Sequence, residues 1–269
     1  MDTGESLSVR LARPEDRNAI LTLATGDEDY VPRVLDTWFA EGWLFVGDLA
    51  GSVVALTHLV GLSPNVGWLE GARVRPDLRG RGIASTMLGW IKRYSADLGM
   101  NTLRMAVGTD NVASMRHVEK CGFRKVARFA QLEFGTLYTI DVAVRSSEPP
   151  ADREILRLYH GMYSRGFRWE ELNDDVLWTY SQSGAFLQVN GSRLLVTDQN
   201  KKGPVKSVQV GYAEPSQDFL GSALSYFYTR LYDRVRITLP PELGSCCPSG
   251  YLKKTEFFVY QFTPGVDGF

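Results

Sequence analysis

RVRPDLRGRGIAS, residues 73–85, packs four arginines and two glycines into a chain whose formal net charge is −1. The residues up to it, Trp68–Val74, read as a strand. Those after it carry the apolar stripe of a helix, Ile83, Met87, Trp90, Ile91, Tyr94 and Leu98, closed by Gly99. A strand, a short Arg/Gly loop and a helix together make an anion site. The first helical N–H groups have no partner inside the helix, and the helix dipole places roughly half a positive charge there. Gly80 and Gly82 let the backbone approach a phosphate and take up positive φ, while Arg79 and Arg81 add charge. No acid occurs from Arg79 to Ala96. The plainer reading is an exposed Arg-Gly loop with no ligand.

Two phosphate-binding patterns fail here. The P-loop pattern GxxxxGK[ST] is absent. A dinucleotide fingerprint GxGxxG would need glycine where Ser85 stands. The segment also follows several earlier elements, with no acid ending the next strand.

Residues 73–84 do resemble the R/Q-x-x-G-x-G/A motif of the GCN5-related N-acetyltransferases (GNAT), filled by Arg79, Gly82 and Ala84. Asn111, with Gly122-Phe123 closing the short helix after it, resembles the family's next motif, and the order of elements between residues 6 and 144 agrees. The resemblance implies an α/β (α+β) fold with a central mixed sheet, and acetyl-CoA as co-substrate. It assigns the pantetheine arm to the backbone of Ala72, Arg73 and Val74. It assigns the pyrophosphate to the loop Gly80, Arg81, Gly82, Ile83, Ala84 and Ser85, and further cofactor contacts to Arg79 and Asn111. A backbone N–H near Val74 would polarise the thioester carbonyl. Two segments, Asp29-Tyr30-Val31-Pro32 with the helix ending in Trp38-Phe39, and Trp68–Val74, are similar to the histidine N-acetyltransferase branch, whose members carry extra sequence after the catalytic domain.

Acyl transfer needs an unprotonated amine, and amines are mostly charged at pH 7, so a base must take a proton directly or through water. Glu70 is the candidate catalytic residue: an acid among Trp68, Leu69 and Gly71 in a central strand, where burial would raise its pKa. Strand alternation puts it on one face with Ala72 and Val74. Tyr30 and Trp38 are candidates for the acceptor pocket, with plain core packing as the competing reading. The family's frequent tyrosine seven residues after the asparagine is replaced by Val118, and Ala106 stands where several members have glutamate. The general acid is therefore open between Tyr94, Tyr138 and water. His117 reads as a helix-surface residue. His58 and His160 have no companions at metal spacing, so no metal is expected.

The rest of the chain bounds these readings. Apolar residues at 44% and charged residues at 23% describe a globular chain. The balanced charge gives no pull toward nucleic acid or an anionic membrane, and no apolar run spans a bilayer. No signal peptide is read at the start. The three cysteines show no CxxC spacing, which fits reduced thiols in the cytoplasm. Upstream, strands are expected at 6–11, 44–49 and 53–61, the last two joined by a hairpin turn at Ala50-Gly51-Ser52, and helices at 18–24 and 30–40. Strands are expected at 102–107, 125–134 and 136–144. Ser146–Pro150 reads as a linker between a catalytic domain, 1–146, and a C-terminal domain, 151–269. In the latter, helices at 152–163, 170–180 and 218–230 and strands at 185–190, 193–198, 205–212, 234–239 and 255–263 repeat the earlier element order without a second Arg/Gly loop. A degenerate acetyltransferase-like half is the expectation, walling off the acceptor site or forming a homodimer, with an unrelated α+β domain as the alternative. The first requires a second splayed parallel strand pair. The expected reaction is acetylation of a primary amine on a small molecule or amino acid. Protein N-terminal or lysine acetylation, and a non-catalytic acyl-CoA sensor, are the alternatives.

Overall fold

The computed structural model describes residues 6–265 apart from 25, 27, 28, 147–152, 203 and 248, so most of the expected linker lies outside the described residues. The chain divides into two compact units. One runs to Met105, takes in Ala113–Arg124 and returns from Tyr260; the other is Ala106–Val112 with Lys125–Val259. The units are therefore not the two consecutive stretches expected from the sequence. No helix among the described residues is long and apolar enough to cross a membrane.

The first unit begins with β1 (Leu7–Leu11), α1 (Arg17–Thr22) and α2 (Val31–Glu41). It continues through β2 (Leu44–Leu49), β3 (Ser52–Ser63), β4 (Val66–Val74), α3 (Ile83–Asp97), β5 (Thr102–Gly108, from Ala106 in the second unit) and α4 (Val112–Lys120). β1 to β4 form an antiparallel run, and β5 joins β4 in parallel. The β2–β3 turn sits at Ala50 and Gly51, both at positive φ (50° and 83°), as a tight hairpin requires. α1 and α2 bury Ile20, Val31, Leu35 and Trp38 against Leu44, Val46 and Leu56 of the sheet. α3 buries Ile83, Met87, Leu88 and Ile91, whereas Leu98, expected on the same stripe, ends the helix and is 42% exposed.

The second unit comprises β6 (Arg124–Gly135, from Lys125), β7 (Val144–Ser146), α5 (Arg153–Leu158), β8 (Met162–Arg165), β9 (Arg168–Glu171), α6 (Asp174–Gln182), β10 (Phe186–Val189), β11 (Ser192–Asn200), β12 (Ser207–Glu214), α7 (Phe219–Thr229) and β13 (Arg234–Leu239). Last comes β14 (Lys253–Phe262), whose final residues from Tyr260 belong to the first unit. The strand order in this unit is β14-β6-β13-β12-β11-β10-β7, with β12 and β13 parallel. The parallel pair expected in the second half is present.

Two expected elements are replaced. Residues 136–144 alternate in sequence but form no strand before Val144. Thr136 N–H is donated to Asp233, and the amides of Thr139 and Ile140 both go to the Ser225 hydroxyl on α7, leaving no ladder to build. The helix expected over 152–163 stops at Leu158; His160 and Gly161 turn at positive φ into the β8–β9 hairpin.

Candidate functional site

The site is organised by a bulge in β4. His58 pairs with Glu70 and Leu56 with Arg73, so Gly71 and Ala72 together oppose the single residue Thr57. This corrects the expected alternation: Glu70 follows the face of Arg73, two β3 positions on, and not that of Ala72 and Val74. Gly71 is at φ +72°, and a Cβ there would lie 2.2 Å from Trp38 Cη2. The bulge thus presses backbone flat onto an indole, which only glycine permits.

Around Glu70 the side chains form one cluster. His58 is fully buried, and its Nδ1 lies 3.1 Å from Glu70 Oε1 while Nε2 lies 2.9 Å from the Gly42 carbonyl oxygen. Glu41 Oε2 is 3.8 Å from the same Nε2. Trp38 stacks on the imidazole with ring centres 5.0 Å apart, and Tyr30 meets Trp38 edge-on at 6.0 Å. The sequence offered His58 no companions; the fold supplies Glu41 and Glu70. Their ligand atoms lie within 4.8 Å of one another. Glu70 is within hydrogen-bond distance of Nδ1, and Nε2 is directed at the Gly42 carbonyl, with Glu41 farther off.

Arg73 ties this cluster to the segment before α2. Its Nε and Nη2 reach the two Asp29 carboxylate oxygens at 2.9 and 3.0 Å, and Asp29, 2% exposed at its side chain, also accepts the Val31 N–H at 3.0 Å. The Arg73 guanidinium stands over the Tyr30 ring at 5.3 Å. Burial pushes the Tyr30 phenol above its ordinary value, opposed by Arg73 and helped by the Glu70 charge. Tyr30 and Trp38 are thus packed together beside Glu70, with Trp38 in the core of α2.

The cofactor candidates follow along the chain. The β4–β5 ladder pairs Val66–Trp68 with Thr102–Arg104, and among the described residues it goes no further, so Leu69–Val74 lies beyond the pairing. Ala72 is exposed, and Arg79 Nε donates to the Val74 carbonyl at 3.1 Å, folding the loop back on the strand end. Gly80 and Gly82 sit at φ +79° and +82°, and a Cβ at either would meet no atom of the chain within 4 Å. Arg81 and Ser85 are exposed and Ala84 half-buried. The first intrahelical bond of α3 runs from Thr86 N–H to Gly82 O at 3.0 Å, so the amides of Ile83, Ala84 and Ser85 have no acceptor within the helix. Asn111 lies in the second unit, immediately before α4, its N–H donated to Gly108 O. Val118 is buried. Tyr94 stacks on Trp90 and meets Phe45 edge-on, and Tyr138 is half-exposed and donates to Asp141.

The second unit repeats this framework and closes it. β12 and β13 pair in parallel from Ser207–Arg234 to Val210–Ile237, and β12 bulges at Gly211, where Leu195 faces Tyr212 and Val196 faces Val210. Val210-Gly211 thus takes the place of Glu70-Gly71. The Tyr159 hydroxyl accepts the Ala213 N–H at 2.9 Å and donates to Thr238 O at 3.2 Å, spanning the two strands beyond their pairing. Before α7, Asp218 stands where the first unit has glycine, and the Ser216 N–H is spent on Ser192 Oγ. A cavity of about 760 Å³ in this unit is lined by Tyr180, Val208, Tyr226, Arg230 and Tyr232 among others, and by none of the candidate residues.

Residues 14–123 match the family model of the acetyltransferase (GNAT) family. No curated protein matches the chain. Among solved structures, a Thermoplasma acidophilum protein provisionally assigned as an acetyltransferase superposes with TM-score 0.66 at 18% identity, over 95% of this chain and 99% of its own. A GCN5-related N-acetyltransferase from Sphaerobacter thermophilus superposes with TM-score 0.61 at 15% identity, over 97% and 98%. A provisionally assigned acetyltransferase from Pyrococcus horikoshii gives TM-score 0.58 at 15% identity, over 97% and 90%.

Proposed function

We propose, from the premise that residues 14–123 are an acetyltransferase domain of the GNAT family, that the protein transfers acetyl from acetyl-CoA to a primary amine of a small molecule or amino acid. The observation that carries this reading is the placement of Glu70. Its side chain is only 12% exposed and lies against His58, on which Trp38 stacks, at the bulge that leads into Ala72–Val74. In this reading the backbone of Ala72, Arg73 and Val74 pairs with the pantetheine arm, and the turn Arg79–Ser85 holds the pyrophosphate. The left-handed Gly80 and Gly82 and the unpaired amides of α3 fit such a group.

The amine nitrogen attacks the thioester carbonyl, the C–N bond forms and the C–S bond breaks. Two protons leave an ammonium acceptor. One reaches solvent through Glu70, and the other ends on the CoA sulfur. Thiols of pKa near 8.5 leave without strong acid help, so Val118 in place of a tyrosine is tolerable. The small aromatic surround of Glu70 supports a compact acceptor, and the similarity of Asp29–Pro32 and Trp68–Val74 to the histidine N-acetyltransferase branch makes amino-acid α-amines the first to try.

The test is thiol release from acetyl-CoA across amino acids, polyamines, aminoglycosides and peptides. Turnover on small amines with loss of about 10²–10⁴-fold in Glu70→Gln is expected. Turnover on peptides alone would move the reading to protein acetylation. Tight acetyl-CoA binding with no thiol release would make it a sensor.

A further inference from the structure

We propose that His58 sets the proton affinity of Glu70, the proton-free pair taking up the acceptor's proton as a unit and holding that one proton between the two side chains. The proposal rests on the reading of Glu70 as base and deepens it. A carbonyl can only accept, so the contact of Nε2 with Gly42 O places a proton on Nε2. A neutral imidazole then has a bare lone pair on Nδ1, and an ionised carboxylate also only accepts. The 3.1 Å contact between Nδ1 and Glu70 Oε1 therefore requires a proton, from an imidazolium or from a protonated Glu70. Removing it leaves two lone pairs facing each other around a fully buried ring.

Charged neighbours among the described residues bear on this balance. From α2, Glu41 lies 3.8 Å from Nε2 and favours keeping the proton, as does the Trp38 face stacked on the ring. From the segment before α2 come Asp29 and Tyr30, and from β4 Arg73. Asp29 and Arg73 neutralise each other in a bidentate pair, and Tyr30 is a neutral phenol. On β2, the residue paired with His58 is Leu44. The pair therefore binds its proton more tightly than a solvated carboxylate would, which moves a glutamate toward the working range of a base for amines. His58 is a positioning residue in this scheme: it touches Glu70, not the acceptor.

Two measurements decide it. In His58→Gln, the acid limb of the kcat/KM profile should move at least one pH unit lower and the plateau should fall, while the KM for acetyl-CoA stays unchanged. A merely structural role would lower activity without moving the limb. Independently of activity, the chain has three histidines, so the imidazole nitrogens of His58 can be followed by NMR. In Glu70→Gln, the side-chain amide can donate to Nδ1, and the His58 titration should fall by more than one unit or leave the range. An unmoved acid limb in a folded His58→Gln, or an unmoved His58 titration in Glu70→Gln, overturns the proposal. Should Glu70→Gln keep full activity, Glu70 falls as the base, and with it the catalytic part of the proposal.

Discussion

Gly71 is the residue at which sequence, packing and chemistry meet. Its φ of +72° and the Trp38 ring 2.2 Å from a would-be Cβ exclude every other side chain unless the bulge or the indole moves. Gly71→Ala should cost about 2–4 kcal/mol, combining overpacking with left-handed strain, and lower turnover by displacing Trp38 from His58. Urea denaturation reads the first and thiol release the second; a variant as stable as the parent contradicts the bulge geometry. Arg73 makes a second case. Truncating it removes the cation paired with the buried Asp29 carboxylate, so Arg73→Ala should destabilise by about 3–5 kcal/mol, and adding Asp29→Ala should restore part of the loss. Equal additive losses in the double mutant would show that the pair does not act as one. Cys247 stands apart from this chemistry: burial pushes its thiol up to about 12, which makes it an idle side chain toward thiol reagents near neutral pH.

At the scale of elements, what was legible follows from how local the signal is. β2, α2 and α3 fall within a residue or two of their expected ranges, because alternation, helical spacing and a closing glycine act over a few neighbours. Residues 136–144 carry the alternation of a strand but lose it to Ser225, far along the chain, which no local pattern encodes. The partners of Glu70 were hidden for the same reason: His58 is twelve residues away and reaches it only through the β3–β4 register. The Tyr159 bridge is likewise a property of β12 and β13 together. Tyr159→Phe removes its acceptor and its donor, leaving the Ala213 amide and Thr238 carbonyl short of a partner. A loss of about 1–3 kcal/mol is expected by thermal or urea unfolding, with acetyl-CoA affinity unchanged. Weakened acetyl-CoA binding in this variant would mean that the second splay takes part in holding the cofactor.

For the whole molecule, the sequence reading that there is a second acetyltransferase-like half without a phosphate loop agrees with the β12–α7–β13 framework. The physical difference between the halves is specific. One has Glu-Gly at its bulge, glycines at positive φ and open helix amides. The other has Val-Gly, a tyrosine across the strands, and Asp218 at its helix start. One acetyl-CoA per chain is therefore expected. Isothermal titration of acetyl-CoA into the full chain and into Gly82→Val tests it most directly, since a Cβ there meets no atom of the chain within 4 Å but both crowds what approaches the loop and strains its left-handed backbone at φ +82°. One site per chain, weakened at least tenfold by Gly82→Val, is the predicted result. Two sites per chain, no binding, or a Gly82→Val variant that binds as tightly as the parent would contradict the account.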